Sequence, residues 1–291
     1  MLLKSVFIGF LSFHSVDTPI LKECKTEADK ISGCIEKKYD SNVDLWIETP
    51  YKNGKVDGIA KEYYEKGKLA SETPYKNGKR EGIEKLYYES GDLGAEIPYK
   101  NDKFEGITKQ YYENGNLEFE TPYKNDKKEG IAKQYYENGN LEREAPFKNG
   151  KREGIEKLYY ENGKLRAEIP YKNDKFEGTT KQYYENGNLE FEIPYKNNKR
   201  EGIVKVYFEN GNLMAEIPHL NNLFHGDMKY YTEDKKLLAT INAQNDKFIS
   251  GKCPNNKALT DKDLTEIRRE DINIEQEINY LKEICLNNDS K

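Results

Sequence analysis

Eight prolines, Pro50, Pro74, Pro98, Pro122, Pro146, Pro170, Pro194 and Pro218, stand 24 residues apart in fixed phase. Two glycine columns keep the same period, one from Gly58 through Gly82 and Gly106 to Gly226, the other from Gly67 through Gly91 and Gly115 to Gly211. Strict self-similarity at 24 residues marks a repeat array, in which each unit contacts its neighbours and no single central core is built. One unit reads Gly-Ile-x-Lys-x-Tyr-Tyr-Glu-Asn-Gly-x-Leu-x-x-Glu-x-Pro-Tyr-Lys-Asn-x-Lys-x-Glu.

Each unit carries two turn signals. Asn114-Gly115, Asn138-Gly139 and their equivalents predict a two-residue type I′ turn, which needs a positive φ twice. Asn53-Gly54, Asn77-Gly78 and Asn149-Gly150 mark the other turn, which elsewhere becomes Asn101-Asp102 or Asn197-Asn198, residues that still accept the left-handed region. The runs between turns are of strand length and hold Tyr, Ile and Phe, so the array reads as a meander of antiparallel strands. With Lys66-Gly67 as the loop, Glu65 faces Lys68, Tyr64 faces Leu69 and Lys61 faces Glu72. The same register sets Lys109 against Glu120 and Lys181 against Glu192, an opposite-charge pair in every unit. On these pairs alone, exchanging Lys109 and Glu120 together should be tolerated. The other face carries Tyr112, Leu117, Phe119 and Tyr123 in one unit and Tyr88, Leu93, Ala95, Ile97 and Tyr99 in another. The expected fold is all-β: an elongated single-layer antiparallel sheet of tandem 24-residue hairpins, with a short C-terminal helical cap.

Composition agrees with a thin sheet. Only 35% of residues are hydrophobic, 34% are charged and mean hydropathy is −1.00, yet the chain holds 23 Tyr and 11 Phe. Tyrosine suits a half-wet structure, because its ring packs while its hydroxyl stays hydrated. The net charge of −5 gives no basic footprint for nucleic acid.

The ends differ from the body. Residues 1–15 resemble a short secretory signal, with Lys4 before an apolar run and small residues at Ser12 and Ser15; an uncleaved hydrophobic strand fits the same residues. Residues 16–50 read as an N-terminal cap and degenerate repeat, 51–251 as the hairpin array, and 252–291 as a helical segment. Leu264, Ile267, Ile274, Ile278, Leu281 and Cys285 recur at helical spacing. Thr260 with Asp263 and Asn273 with Gln276 each resemble a capping box, which implies a break near Asp271–Asn273 and two helices; one helix with an asparagine midway is the alternative. Such a helical pair would cover the last exposed strand edge. Cys24, Cys34, Cys253 and Cys285 bracket the two ends. Export would make Cys24–Cys34 and Cys253–Cys285 disulfides natural, whereas in the cytosol the same residues would be half-buried thiols.

Chemistry has little to work with. His219 and His225 sit in a degenerate unit, where cap packing accounts for them better than a metal or catalytic role. The Glu72-to-Glu216 column could suggest paired glycosidase carboxylates, but each faces a lysine, so a structural ladder is the simpler reading. No catalytic residue, metal site or cofactor is expected. The tyrosine column Tyr63, Tyr87, Tyr111, Tyr135, Tyr159, Tyr183 and Tyr207 is the candidate interaction surface, with another protein or a surface glycan as partner.

The runs Tyr-Tyr-Glu-Asn-Gly-Asn-Leu and Tyr-Lys-Asn-Asp-Lys-Phe-Glu-Gly resemble the MORN-repeat variant of bacteria, found in the family labelled YwqK-like antitoxins, over roughly Gly33 to Gly251. The resemblance implies a twisted antiparallel sheet and roles in scaffolding, protein contact or, in some eukaryotic relatives, contact with membrane lipid. The antitoxin label implies binding and neutralising a partner protein in the cytosol. MORN repeats also occur beside lipid-kinase domains, but this chain carries no glycine-rich nucleotide loop, so kinase activity is not inherited.

Overall fold

The computed structural model describes residues 21–39, 41, 44–268 and 273–286. The signal reading of residues 1–15 lies outside these, as does Asp271 at the expected helix break. Two compact units are present, Met1–Arg80 and Glu81–Lys291. Both are antiparallel hairpin sheets.

A repeat of the second unit shows the local logic. A six-residue strand, Gly106–Tyr111, is followed by an eight-residue strand, Leu117–Lys124, and a two-residue strand, Lys127–Lys128. The proline and glycine columns turn out to be one device. Gly106 takes φ 122°, and a Cβ placed there would stand 3.0 Å from Cγ of Pro98, so the proline ring occupies the space that glycine leaves open. The Glu105 N–H donates to the Pro98 carbonyl beside this contact.

The two turns are interchanged relative to expectation. Asn101 and Asp102 both have positive φ (51° and 68°), and Lys100 pairs Lys103 across them. This is the type I′ geometry, and it belongs to the turn that often lacks glycine. At Asn114-Gly115 only the glycine takes a positive φ, 85°. Gly115 N–H donates to the Tyr112 carbonyl and Tyr112 N–H to the Asn116 carbonyl. That is a three-residue loop of a type I turn closed by a left-handed glycine.

The longer loop corrects the register at the hairpin tip. Tyr63 opposes Leu69 and Tyr64 N–H bonds the Lys68 carbonyl, so Glu65 lies in the loop and Tyr64 does not face Leu69. Deeper in, Lys61 still faces Glu72. The extra loop residue is absorbed by a bulge between Glu62 and Tyr63, which restores the expected pairing one step further on.

Among the described residues of the first unit is a helix, α1, Glu27–Ser32, which the sequence reading lacked. Thr26 and Asp29 form its capping box. The carbonyls of Lys30 and Ile31 accept from Gly54 and Asn53 N–H, so the helix end caps the adjacent hairpin loop. A parallel bridge between Glu23 and Ile35 and the Cys24–Cys34 disulfide (Cα–Cα 5.1 Å) hold the preceding segment to the first strand, Cys34–Tyr39.

In the second unit α2, Asp261–Ile267, and α3, Ile274–Leu286, are separate helices. Thr260 with Asp263 and Asn273 with Gln276 cap them reciprocally. The helices cover the face of the last repeats rather than an edge: Leu264, Ile267, Ile278 and Leu281 form one buried cluster with Val206, Met214, Met228, Tyr230, Leu238 and Ile241. Helices bury a stripe only against a broad apolar surface, which a strand edge does not offer. The last strand, Lys247–Lys252, is instead met by the returning chain, where Ala258 bridges Lys252 and Leu259 N–H donates to the Gly251 carbonyl. Cys253 and Cys285 are bonded, Cα–Cα 5.4 Å.

Candidate functional site

Side chains alternate across a strand, so Ile107, Lys109 and Tyr111 share one face with Pro122 and Glu120, while Thr108, Gln110, Phe119 and Thr121 share the other. On the first face of the second unit, glutamates of the column lie between two lysines. Glu120 is opposed by Lys109 on one side and Lys133 on the other, and Glu192 by Lys181 and Lys205. Ion-pair distances in this column include 3.5 Å for Lys61–Glu72 and 3.9 Å for Lys205–Glu192.

The candidate tyrosine surface joins this ladder. Tyr63 donates its hydroxyl to Glu48, Tyr111 to Glu96, Tyr135 to Glu120, Tyr159 to Glu144, Tyr183 to Glu168 and Tyr207 to Glu192, over 2.7–3.1 Å. Burial first, and then the glutamate that accepts the proton's hydrogen bond, push the phenols of Tyr63, Tyr135 and Tyr183 up to about 12. Tyr87 occupies the same column and is half-buried like the others. These hydroxyls are therefore committed to the carboxylates. Each such carboxylate is engaged by lysines and a phenol of the neighbouring strands.

Other polar columns stitch one repeat to the next. Tyr88, Tyr112, Tyr136, Tyr160 and Tyr184 donate to the carbonyl of the tyrosine 23 residues onward. Glu81, Glu105, Glu129, Glu153 and Glu177 each accept the N–H of a loop asparagine 20 residues onward. Asn116, Asn140, Asn188 and Asn212 donate to the loop carbonyl 21 residues onward. The repeat's polar residues are thus occupied in holding the array together.

The ladder face also carries a feature the sequence reading did not single out. Ile59, Ile83, Ile107, Ile131, Ile155 and Ile203 are 49–54% exposed, each opposite a proline of the proline column. Their recurrence beside Lys61 and its equivalents, broken at Thr179, was the available signal.

The opposite face of the second unit is built differently. An aromatic strip runs along it, with Phe104 between Tyr99 and Tyr123 at ring-centroid distances of 5.0 and 5.2 Å, and Phe176 between Tyr171 and Tyr195 at 5.0 and 5.1 Å. Cations interrupt the strip: Lys128 lies 5.0 Å from the Phe147 ring centroid and Arg152 4.0 Å from that of Tyr171. Arg152 also shares the buried Glu156 with Arg143, at 3.6 and 2.6 Å. Two hollows open on this face, about 410 Å³ over Ala95, Ile97, Phe104 and Thr108, and about 120 Å³ over Ala132, Gln134, Arg143 and Ala145. Phe119 and Thr121 line both. In the first unit a third hollow, about 470 Å³, lies among Tyr39, Trp46, Tyr63 and Tyr64.

His219 stacks on Phe224 at 4.9 Å within the aromatic strip. Its Nδ1 lies 2.9 Å from the Ile217 carbonyl, and burial lowers its pKa. His225 is exposed on the neighbouring loop. Among the described residues no group of His, Cys, Asp or Glu is arranged to hold a metal ion. No described helix is long and apolar enough to cross a membrane.

Comparison with solved structures returns weak likenesses. The crystal structure of TcdB2-TccC3 is 13% identical, with 77% of this chain and 14% of that chain covered and a TM-score of 0.20. Virginiamycin B lyase from Staphylococcus aureus is 11% identical, with 77% and 82% covered and a TM-score of 0.18. The chain thus spans about a seventh of the first of these, and scores this low carry no argument. No curated protein matches the sequence. The model of the MORN repeat variant, by contrast, matches at residues 56–77, 80–101, 104–125, 128–149, 152–173, 176–197 and 200–221, in step with the 24-residue hairpins between the first and the last. By these windows, which together take in more than half of the sequence, the chain belongs to the MORN repeat variant family.

Proposed function

We propose that this protein is a non-enzymatic scaffold that works by binding another protein. The observation that carries the reading is the division of labour between its polar and apolar groups. The lysines, glutamates, tyrosine hydroxyls and loop asparagines of the repeat bond to adjacent repeats. The open face of the second unit, meanwhile, offers hollows in which the rings of Phe104, Phe119 and Phe147 stand beside threonine, glutamine and lysine side chains. Concave, largely apolar surface with a few cations at its margin suits recognition.

We place the protein outside the cytoplasm, in the cell envelope or secreted. The disulfide at each end supports this, because such bonds persist in oxidising compartments. A cytosolic antitoxin-type binder of one protein is the competing assignment, and fractionation separates the two. Chemical cross-linking of the tagged full chain in its native host is the test. One protein partner recovered from the envelope or medium is the expected result. Recovery of a cytosolic toxic protein with four reduced thiols would support the antitoxin assignment instead, and no protein cross-link above background would overturn binding altogether.

A further inference from the structure

Part of the open face already has an occupant. Over the last repeats α3 lies on it with Ile278 and Leu281 buried, at 2% and 0% exposure, among Val206, Met228, Tyr230 and Ile241. One acid goes down with them: Glu277 accepts a hydrogen bond from the Tyr230 hydroxyl at 3.1 Å. The helix is acidic overall, with Glu275, Glu277 and Glu283 against Lys282.

Seventy-two residues earlier the same columns recur without a cover. Val204, Val206, Ala215 and Ile217 become Ala132, Gln134, Arg143 and Ala145, and the result is the smaller hollow, about 120 Å³. It shares Phe119 and Thr121 with the larger one. Phe119, Ala132, Ala145 and Phe147 supply its apolar lining, beside Gln134 and the cations Lys128 and Arg143. Lys128 overhangs Phe147, while Arg143 and Arg152 share Glu156 and Arg152 also reaches Asp174 at 3.8 Å, so two carboxylates match the two arginines and Lys128 carries the excess positive charge.

We propose, resting on the scaffold reading above, that the face from Ala95 to Phe147 docks an amphipathic helix of a second protein, with an acidic residue beside its apolar stripe seated between Lys128 and Arg143, as α3 seats Glu277 against Tyr230. The frame is repeated, so a helix there meets strands at the spacing α3 meets them. A helix of 13 residues, the length of α3, is about 20 Å long at ~1.5 Å per residue and crosses about four strands at ~4.8 Å. The chain's own α3 is not the occupant, since Cys285 ties it to Cys253, and the same bond restrains the helix of a second copy.

The test uses the full chain with its disulfides intact and a fluorescent, helix-stapled peptide of the α3 sequence carrying Cys285→Ser, followed by anisotropy. Saturable binding is expected, weakened about tenfold or more by Ala145→Trp, which fills the hollow, and by Lys128→Glu, which reverses the charge without disturbing Glu156. The same loss is expected when the peptide carries Glu277→Gln. Ile131→Glu, on the opposite face of the same hairpin, should leave binding unchanged. Absence of saturable binding, indifference to Ala145→Trp and Lys128→Glu, or sensitivity to Ile131→Glu overturns the site. So does a dimer in sedimentation that Ala145→Trp breaks, which would make a second copy the occupant. A native partner whose cross-link survives Ala145→Trp leaves the scaffold reading standing and removes only this site, whereas loss of both partner and peptide removes both.

Discussion

Residues 106–148 and 202–244 belong to the same unit and share strand lengths, bulge position and, except where Thr240 faces Lys229, Lys–Glu pairing, yet one stretch is open and the other roofed. The difference lies in a few columns. Glu118, the bulge residue of its hairpin, corresponds to Met214 and Leu238, which are 2% and 0% exposed beneath the helices. Gln110 and Gln134 correspond to Val206 and Tyr230, and Ala132 to Met228. Frame and face are therefore coded separately. Glycine, proline and loop asparagines set the backbone, while the residues between them decide whether a face attracts a helix, stays wet or stays open to a partner.

The sharpest way to break this comparison is a cavity. Leu281→Ala, at a site with no exposure, is expected to cost about 2–5 kcal/mol in urea unfolding. Ile107→Ala, at 53% exposure in the open stretch, should change stability by no more than ~0.5 kcal/mol. Similar costs for the two would mean that Ile107, on the ladder face, is held as tightly as the residues under the roof. Next in size is Cys285→Ser, which opens a loop of 32 residues' separation and should cost about 2–4 kcal/mol. Hydrogen exchange should then rise across Ile274–Leu286 and stay unchanged over 106–148.

The acid beneath the roof makes the comparison pH-dependent. Burial raises Glu277 to about 7, against which the Tyr230 hydrogen bond works in the opposite direction. Between the ordinary glutamate value and about 7 the folded state holds a proton that the unfolded chain has released. This contribution is therefore fully favourable below the unfolded pKa and is lost as pH rises through 7. Glu277→Gln should flatten the profile of the roofed stretch across that window and stabilise it at pH 8 by on the order of 2 kcal/mol. An unchanged profile would place the titrating group elsewhere.

Smaller effects sharpen the description of the open stretch. Tyr112→Phe removes the 2.7 Å bond to the Tyr135 carbonyl and should cost about 0.5–1.5 kcal/mol. Lys109→Glu should cost about 0.5–1 kcal/mol, because it faces Glu96 as well as Glu120. The double exchange with Glu120→Lys regains its own pair, but it sets Glu against Glu96 and Lys against Lys133. It should therefore cost about as much as one single change, and full rescue would show that the pairs act in isolation. The expectation that the exchange is tolerated held only for an isolated hairpin.

Much of the fold was legible because its signals are local and recur. Lys61 opposite Glu72 survived even a misassigned turn, since a bulge restores what a longer loop shifts. The turn types were misread because Asn-Gly suits both loops: Gly115 closes a three-residue loop, while Asn101-Asp102 makes the type I′ turn without glycine. At the N-terminus the Thr26–Asp29 capping box was present in the sequence, but a six-residue helix gives too short a period to notice. The candidate tyrosines stand beside the Lys–Glu ladder, as their spacing implied, but that their hydroxyls bond the glutamates of the preceding repeat is a cross-strand fact.

By itself the sequence determined the repeat unit, the strand pairing within it and the helical character of the C-terminal segment, because turn chemistry, alternation and capping act over a few residues. Only the tertiary structure decided which columns spend their polar groups on neighbouring repeats. It alone set α2 and α3 on the sheet face and left the stretch from Ala95 to Phe147 uncovered. The physical reason is range: residues such as Tyr111 and Glu96, or Tyr230 and Glu277, meet only after the chain has doubled back. No periodicity along the chain records which side of the sheet a later helix will choose.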